Sequence, residues 1–376
     1  MKIRNETKRL ENLGTIQGVV TSTTLQEGPV MVRQFVQNEE GVLILKSRQY
    51  ASDKGEYQFN VEPGGYYIGA FVDVNRDGKI PPEAPEPFHF HHYRGEPVQI
   101  IVNIGETVTV NLTITDTPPP LPNEIKVETA LIPFLENIGS IANLNDPRFD
   151  PKHYSTGLWR PFLFLEQAEG GLFFLQEYDP DKIPVLFVHG ANGGPRAFEK
   201  MIESLDKQLF QPWVFYYPSG MRLNKLSEAL VRTVHELKIK RGDFNQLYIV
   251  AHSMGGLATR SFVKNYIEKF PEDTKIIRLV MTINSPMGGM KSAAKGVKNS
   301  PVVVPCWRDV ATGSTFLEGG VDKKGKKIVG INEWNWPKEI PYYLIVSNKT
   351  GKDGDGTVSM VSQANNNQEN QYDELK

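Results

Sequence analysis

The spacing of apolar residues divides the 376-residue chain into two unlike halves. Up to about residue 116, short apolar or alternating segments recur between turns rich in Gly, Pro, Asp and Asn, and helical periodicity is absent. Strands at this spacing are typical of a small antiparallel β-sandwich, which the pattern predicts for residues 1–116. The predicted strands cover residues 15–20, 30–35, 42–45, 56–61, 66–72, 98–102 and 108–114.

From residue 183 onward, strand patterns alternate with helix patterns. The continuous apolar run at 185–188 is typical of a strand that is buried on both faces. This alternation predicts an α/β domain over residues 183–376, with a mostly parallel sheet covered by helices. Further strands are predicted at 213–217, 247–251, 276–283 and 342–346, and helices at 197–205, 226–237 and 257–266.

The intervening residues, 117–182, have no clear period. They begin in the proline-rich segment DTPPPLP (116–122), which favours an extended linker because proline cannot donate to a β-ladder. The rest combines prolines, aromatic residues and a Gly-Gly pair at 170–171. We therefore expect a connector over residues 117–182.

Composition narrows the classes of function. The formal net charge is −2, so nothing electrostatic favours nucleic acid or an anionic membrane surface as a partner. No apolar run is long enough to span a bilayer, and the polar first twelve residues lack the apolar core of a signal peptide. The single cysteine, Cys306, says little about redox compartment.

The segment AHSMGG, residues 251–256, follows a predicted strand and precedes a predicted helix. This is the context of a nucleophile elbow, a tight turn that exposes a serine hydroxyl above a helix N-terminus. Small residues two positions before and after the serine relieve crowding, and Ala251 and Gly255 supply them. The pattern predicts Ser253 as a nucleophile; a serine in a glycine-rich turn of another α/β fold is the alternative.

A second motif, HGANGGP at 189–195, follows the predicted strand at 185–188. In α/β-hydrolases the corresponding loop gives one backbone N–H of the oxyanion hole, and the residue after the nucleophile gives the other. Ala191 and Met254 occupy these positions. His189 is predicted to be a structural residue of this loop.

With PVLFVHGANGGP, AHSMGG and TINSPMGG in order, residues 155–362 resemble the lipase side of the α/β-hydrolase superfamily. They are most similar to bacterial lipases and to the group of lecithin–cholesterol acyltransferase and the GPI inositol-deacylases. The strand pattern of the N-terminal half loosely resembles prealbumin-like and carboxypeptidase-regulatory-like modules found beside extracellular enzymes. The resemblance implies an ester substrate, small or lipid, with contact at a lipid interface, and it favours an extracytoplasmic location.

The resemblance also implies the catalytic acid. In the similar lipases a G-D-G-T-V segment after a late strand carries it, and Asp355 in GKDGDGTVS (351–359) matches that position. Its role is to orient an imidazole and stabilise the imidazolium. The alternative is that this segment is a plain Gly/Asp turn or binds a cation. Asp353 suits either of these two roles.

The general base is missing from the pattern. In this family it is a histidine after the acid, yet none of the seven histidines follows Asp355. Either the sequence stops before the true C-terminus, or the fold has lost its base, and the intact elbow favours the first. Among the internal histidines only His153, in the connector, is a conceivable substitute.

Two groups in the N-terminal half suggest metal binding. Asp73, Asn75 and Asp77 have the oxygen spacing of a calcium loop, but the glutamate expected at its twelfth position is replaced by Ala84, and a plain turn is the alternative. On a strand, His89 and His91 would share one face, an arrangement that can bind a metal; a solvated loop or edge strand is the alternative. No other cofactor is expected.

The prediction is thus a serine hydrolase that cleaves carboxylic esters through an acyl-enzyme on Ser253. Two alternatives remain: an inactive hydrolase-fold binding protein, and an acyltransferase that uses the same nucleophile. Residues 287–335, an insertion between two predicted strands that includes Met290, Trp307 and Phe316, are a hypothetical lid or acyl-chain wall.

Overall fold

Two units divide the chain, and each contains its own β-sheets. The computed structural model describes residues 2–78, 88–117, 127–128, 133–168, 170–242, 244–321, 325, 327–349 and 353–364. The N-terminal unit comprises Lys8–Glu136 and Val234–Gly242; the C-terminal unit comprises Met1–Thr7, Asn137–Thr233 and Asp243–Lys376. The mixed α/β class predicted from the sequence is confirmed.

A helix that the apolar pattern did not predict, α1 (Lys2–Glu11), begins the chain. Its sequence is mostly polar and lacks a broad apolar stripe. Contacts with residues that are distant in sequence hold the helix in place instead. The Glu6 carboxylate accepts the Phe162 N–H at 2.9 Å, and Arg9 pairs with Glu62 at 2.7 Å. The expectation that helices are absent from the first 116 residues is therefore corrected.

Short strands make up most of the N-terminal unit. Strand β1 pairs antiparallel with β4 and parallel with β10 and β11, while β2 lies between β3 and β5 in antiparallel register. The elements are β1 (Gly14–Ser22), β2 (Val30–Gln37), β3 (Leu43–Tyr50), β4 (Glu56–Val61), β5 (Gly64–Val72), β6 (His89–Phe90), β7 (His92–Tyr93), β8 (Glu96–Pro97), β9 (Ile100–Val102), β10 (Thr107–Thr109), β11 (Leu112–Ile114), β12 (Val127–Glu128) and α2 (Pro133–Glu136).

Strands and helices alternate in the C-terminal unit. Its elements are β13 (Ser140–Ile141), α3 (Lys152–Trp159), α4 (Pro161–Ala168), β14 (Gly171–Phe174), β15 (Ile183–Val188), α5 (Glu199–Glu203), β16 (Phe210–Tyr216), the part of α6 (Leu223–Arg241) up to Thr233, β17 (Leu247–His252), α7 (Met254–Lys269), β18 (Ile277–Ile283), α8 (Lys291–Asn299), α9 (Pro305–Val310), α10 (Thr315–Glu318), β19 (Gly320–Val321), β20 (Lys327–Ile328), β21 (Tyr342–Ile345) and α11 (Met360–Ala364). Three 3₁₀ turns, Pro147–Phe149, Pro195–Phe198 and Pro271–Ile276, join them.

A seven-stranded sheet organises this unit, with strand order β13-β14-β16-β15-β17-β18-β21. Neighbouring strands are parallel except β14 and β16, which are antiparallel. Strands β15 and β17 lie inside the sheet, and the side chains of Leu186, Val188, Ile249 and Ala251 are fully buried. In β15 the intervening residues Val185 and Phe187 are also buried, and this two-sided burial explains its continuous apolar run. In β17 buried residues alternate with half-buried ones.

The predicted connector contributes to this sheet. Strands β13 and β14 lie within residues 117–182, and β14 aligns Phe174 with Trp213 of β16, whose rings stack at 4.5 Å between centroids. These strands are only two and four residues long, too short to give a period in the sequence. Most of the proline-rich linker segment lies outside the described residues.

Candidate active site

The predicted catalytic residues and Asn284 lie on segments that leave the carboxyl ends of four neighbouring strands. The loop at 189–195 follows β15, Ser253 follows β17, Asn284 follows β18, and Asp355 lies in the segment after β21. Because these strands are parallel, their carboxyl ends lie at one edge of the sheet. Open α/β sheets bind ligands at this edge.

Ser253 lies in a strained turn between β17 and α7. Its backbone has φ 53° and ψ −130°, a left-handed region that costs a residue with a side chain about 1–3 kcal/mol. The Ser253 N–H donates to the carbonyl of Ile283 at 2.8 Å, and its own carbonyl accepts the Gly256 N–H at 3.0 Å. These bonds hold the strained conformation, and strain of this kind concentrates at functional residues.

Glycines on both sides make room for this turn. A Cβ atom on Gly255 would lie 2.4 Å from the carbonyl oxygens of Val188 and His189. A Cβ atom on Gly190 would lie 2.8 Å from the Cβ of Ser253. Backbone oxygens cannot move aside as a flexible side chain can. Any residue larger than glycine would therefore clash at position 255.

Two backbone N–H groups, one in the loop after β15 and one at the start of α7, are the predicted oxyanion donors. The N–H groups of Ala191 and Met254 donate to no acceptor in the part of the chain that the structure describes. Met254 is the first residue of α7, where an N–H has no partner within the helix. The adjacent N–H of Asn192, by contrast, donates to Ser219 Oγ at 3.0 Å. Both donors predicted for an oxyanion are thus left available.

His189 is held by its own loop. Its Nδ1 lies 2.9 Å from the Gly190 carbonyl, its Nε2 accepts the Tyr217 N–H at 3.3 Å, and its ring stacks on that of Tyr217 at 4.0 Å. Complete burial lowers the pKa of His189 to about 4. A neutral imidazole with both nitrogens engaged suits a structural role and leaves no nitrogen for Ser253.

Asp355 lies half-buried in a tight turn. Its Oδ1 accepts the backbone N–H groups of Thr357 and Val358, both at 2.7 Å. Oδ2 accepts no hydrogen bond from any described residue. One carboxylate oxygen thus fixes the side chain, and the other can accept a donor. The alternative, Asp353, is exposed, and its Oδ1 accepts the Met360 N–H at 3.2 Å.

No histidine side chain is hydrogen-bonded to Ser253 within the described residues. Burial lowers the pKa of His252, the residue before the serine, and the carboxylate of Asp355 opposes that shift. His153, half-buried on α3, makes no side-chain hydrogen bond or ion pair with a described residue. His235 lies in the N-terminal unit, with Nε2 3.2 Å from the Ala51 carbonyl.

Sequence reasoning did not single out Asn284. Its φ is 51°, and its Oδ1 is buried without a hydrogen-bond partner among the described residues. The register of β17 and β18 pairs His252 with Ile283, so Asn284 and Ser253 are the next residues along the two strands. An asparagine directly after an apolar strand was the only available signal.

A cavity of about 550 Å³ lies beside the segment that carries Asp355. Its walls come from the loop before α8, from the insertion, and from the Asp355 segment. The lining combines apolar groups with charged and hydroxyl-bearing ones, and consists of Gly288, Gly289, Met290, Lys291, Ser292, Thr312, Glu318, Asp353, Thr357, Val358, Ser359, Val361 and Ser362. This volume is in the range of small-molecule sites.

The insertion at 287–335 is fastened to the rest of the C-terminal unit. Asp309 is buried and forms a salt bridge with Arg222 at 2.6 Å. The ring of Trp307 packs edge-to-face on that of Trp159 of α3, with 5.6 Å between the ring centroids. Cys306 is buried, and burial raises the pKa of its thiol. The insertion lines the cavity through residues 288–292, Thr312 and Glu318. Its role as a lid or acyl-chain wall stays a prediction.

The residues suggested for metal binding make other contacts. Asp73 is fully buried, and its Oδ2 accepts the Tyr50 hydroxyl and, at 2.8 Å, the Gly78 N–H. Asn75 Oδ1 accepts the Asp77 N–H at 3.0 Å, as in a simple turn. The predicted twelfth position lies outside the described residues. His89 is buried, with Nε2 2.8 Å from the Thr115 carbonyl. No group of three metal-binding side chains occurs in the described ranges.

Comparisons with known proteins give distant likenesses. No protein-family model and no curated protein matches the chain. Among solved structures, the mature lipase BlEst2 of Bacillus licheniformis is 20% identical and covers 38% of this chain and 61% of its own, with a TM-score of 0.31. A carboxylesterase structure from Nitrososphaera gargenis is 17% identical over 34% of this chain and 47% of its own, with a TM-score of 0.26.

Lipase B of Aspergillus fumigatus is 18% identical over 32% of this chain and 30% of its own, with a TM-score of 0.26. The chain therefore aligns with less than two thirds of these proteins, all of which are lipases or esterases. These likenesses are distant and cover about a third of the chain. Separately, no helix in the described ranges combines the length and apolarity needed to cross a membrane.

Proposed function

We propose that this protein hydrolyses carboxylic esters through an acyl-enzyme on Ser253. The observation that carries the proposal is the strained backbone of Ser253, φ 53°, at a strand-to-helix turn beside two backbone donors without acceptors. A serine on such a turn presents its hydroxyl to substrate. The preset N–H groups stabilise the oxyanion, and losing one such donor typically costs about 10²–10³ in rate.

The chemistry has two steps. Ser253 Oγ attacks the ester carbonyl carbon while its proton passes to a base, and the oxyanion is held by the N–H groups of Ala191 and Met254. Collapse expels the alcohol, which takes that proton, and leaves an ester on Ser253. Water then attacks the acyl-enzyme by the same route, giving the carboxylic acid and free Ser253.

The base is proposed to be a histidine located after Asp355 in the full-length protein. Asp355 Oδ2, which accepts no hydrogen bond from a described residue, would receive its imidazole N–H. The order of nucleophile, acid and histidine is that of α/β-hydrolases. Without a base, a serine hydroxyl is a weak nucleophile at neutral pH.

The test uses the protein expressed from its complete reading frame, with p-nitrophenyl butanoate as substrate and a fluorophosphonate probe. Wild type should turn over the ester and become labelled. Ser253→Ala should lose turnover by about 10⁶-fold and all labelling, while Ser261→Ala, a buried serine of the same helix, should remain active. Asp355→Asn should lower kcat by about 10⁴-fold.

Each other outcome favours a different function. A folded full-length protein with neither labelling nor turnover contradicts the proposal and favours a binding protein. Labelling with transfer of the acyl group to an added alcohol, in place of release of the free acid, favours an acyltransferase. Turnover that survives in Ser253→Ala contradicts the assignment of the nucleophile.

A further inference from the structure

Ser219 ties the predicted oxyanion loop to the segment that follows a neighbouring strand. It lies just after β16, which pairs with β15, and its Oγ accepts the Asn192 N–H at 3.0 Å. The two residues are 27 positions apart in sequence, so this bond is not part of a local turn. Ser219 is only 1% exposed, so water has little access to replace the bond.

Asn192 directly follows Ala191, whose N–H is one of the two proposed oxyanion donors. The Asn192 backbone is left-handed, at φ 53°, and its N–H belongs to the peptide unit that joins the two residues. Because a peptide unit is planar, the bond to Ser219 restrains that whole unit. Only the rotations about the Ala191 backbone then separate it from the peptide unit that carries the donor.

The other side of the donor is held by the same segment after β16. The Ala191 N–H shares a peptide unit with the Gly190 carbonyl, which lies 2.9 Å from His189 Nδ1. His189 Nε2 accepts the Tyr217 N–H, so Nδ1 carries the ring proton and donates a hydrogen bond to that carbonyl. In a trans peptide the C=O and N–H point in opposite directions, so the Ala191 N–H points away from the imidazole.

Backbone contacts support the segment that carries Ser219. The next residue, Gly220, donates its N–H to the Gly157 carbonyl at 3.0 Å, and its carbonyl accepts the Cys306 N–H at 3.2 Å. A Cβ atom on Gly220 would lie 2.0 Å from the Leu158 carbonyl oxygen, so the two backbones are in direct contact. The position of Ser219 is therefore fixed by other parts of the C-terminal unit, independently of the loop that it holds.

The loop held in this way lies against the proposed nucleophile. A Cβ atom on Gly190 would lie 3.3 Å from Ser253 Oγ, so the loop backbone is close to the atom that attacks the ester. A shift of the loop would change the position of the Ala191 N–H relative to that atom. A misplacement of about 1 Å costs about 10²-fold in rate.

We propose that Ser219 is a positioning residue, which keeps the Ala191 N–H aimed at the oxyanion by holding Asn192. The inference rests on the proposed ester hydrolysis at Ser253. Ser219 itself touches no substrate, because its side chain is buried. Since the oxyanion develops only as the ester reacts, the contribution of Ser219 belongs in kcat and not in KM.

The experiment measures turnover of p-nitrophenyl butanoate by the full-length protein. Ser219→Ala leaves the Asn192 N–H without its acceptor and so releases the loop. We expect kcat to fall about tenfold to hundredfold, with KM within about twofold of wild type. The loss should stay below about 10³-fold, the upper cost of removing a donor outright, because the Ala191 N–H is still present.

Ser52→Ala is the matched control. Ser52 is also buried, and its Oγ accepts the Glu56 N–H at 3.1 Å, but it lies in the N-terminal unit. Because the two variants lose the same kind of bond, both should lower Tm by a similar amount. Only Ser219→Ala should lower kcat.

Inhibition by butyl trifluoromethyl ketone separates positioning from a loss of folded protein. Ser253 Oγ bonds to its carbonyl carbon and passes its proton to the base, the carbonyl oxygen becomes the oxyanion, and no group leaves. In Ser219→Ala the inhibition constant should rise by about the factor by which kcat/KM falls, because the same donors hold both oxyanions. A smaller folded fraction would lower the apparent kcat and leave the inhibition constant unchanged.

The inference and the proposed function can fail separately. The role of Ser219 is overturned if Ser219→Ala keeps kcat within about twofold of wild type, changes KM alone, or leaves the inhibition constant unchanged. An equal fall of kcat in Ser52→Ala overturns it as well. Each of these results leaves Ser253-dependent hydrolysis by wild type intact. If wild type turns over no ester through Ser253, the proposed function fails, and this inference fails with it.

Discussion

The backbone of Gly190 lies directly against the side chain of Ser253, because a Cβ atom on Gly190 would lie 2.8 Å from the Cβ of Ser253 and 3.3 Å from its Oγ. The two residues follow neighbouring parallel strands, β15 and β17. The same Cβ would lie 3.1 Å from the carbonyl oxygen of His252. The loop that carries Ala191 is therefore packed directly against the strained turn, with no side chain between them.

Gly190→Ala should slow catalysis more than it lowers stability. The added methyl group must push the loop away from Ser253, and a displacement of about 1 Å at a catalytic group costs about 10²-fold in rate. The measurement is the rate of fluorophosphonate labelling at Ser253. Gly64→Ala, at an exposed glycine whose Cβ would have no neighbour closer than 3.7 Å, is the matched control. Labelling within twofold of wild type would contradict the packing argument.

The sequence predicted those parts of the site that are local in the chain. The elbow, the loop after β15 and the Asp355 turn are each defined by consecutive residues next to an apolar strand, so their spacing carries the signal. The interior strand β15 was predicted because burial on both of its faces makes it continuously apolar.

Other features depend on contacts between distant residues. Helix α1 has a polar sequence, and its Glu6 and Arg9 are held by residues far along the chain. Strand β13 has two residues, and only its pairing with β14 defines it.

Glu236→Ala should strongly destabilise the N-terminal unit. The guanidinium of Arg48 donates to the Glu236 carboxylate at 2.7 Å, and their side chains are only 7% and 4% exposed. Removing one partner leaves a buried charge unpaired, which costs about 3–5 kcal/mol. Urea unfolding of the full chain measures it. Glu268→Ala, which breaks an exposed pair with Lys264, should cost about 0.5 kcal/mol or less. Similar losses for both variants would contradict the assignment.

Calcium should not stabilise the protein through Asp73. That carboxylate is fully buried and already accepts hydrogen bonds from Tyr50 and Gly78. Ligands that bind only the folded state raise Tm, so Tm should be the same in millimolar calcium and in chelator. Asp73→Asn should lower stability by about 1–3 kcal/mol, because the turn loses a charged acceptor. A calcium-dependent rise in Tm that Asp73→Asn abolishes would instead establish a calcium site.

His189 should make the protein less stable as the pH falls below neutrality. Burial lowers the pKa of its imidazole from 6.5 to about 4 in the folded state. Between these pH values the unfolded chain binds a proton at this residue that the folded chain does not. Stability is therefore complete above pH 6.5 and is lost as the pH falls toward 4, by about 3 kcal/mol at one residue.

The test is to measure the free energy of unfolding of wild type and His189→Gln at several pH values from 7 to 4. The variant should be less stable at pH 7, because it loses the stacking on Tyr217 and the bonds made by both ring nitrogens. Its amide does not titrate, so the stability difference between the two proteins should shrink by about 3 kcal/mol at pH 4. Other histidines whose pKa burial lowers, such as His89, are present in both proteins and cancel in this difference. A stability difference that stays constant with pH would show that His189 takes up its proton in the folded state as readily as in the unfolded chain.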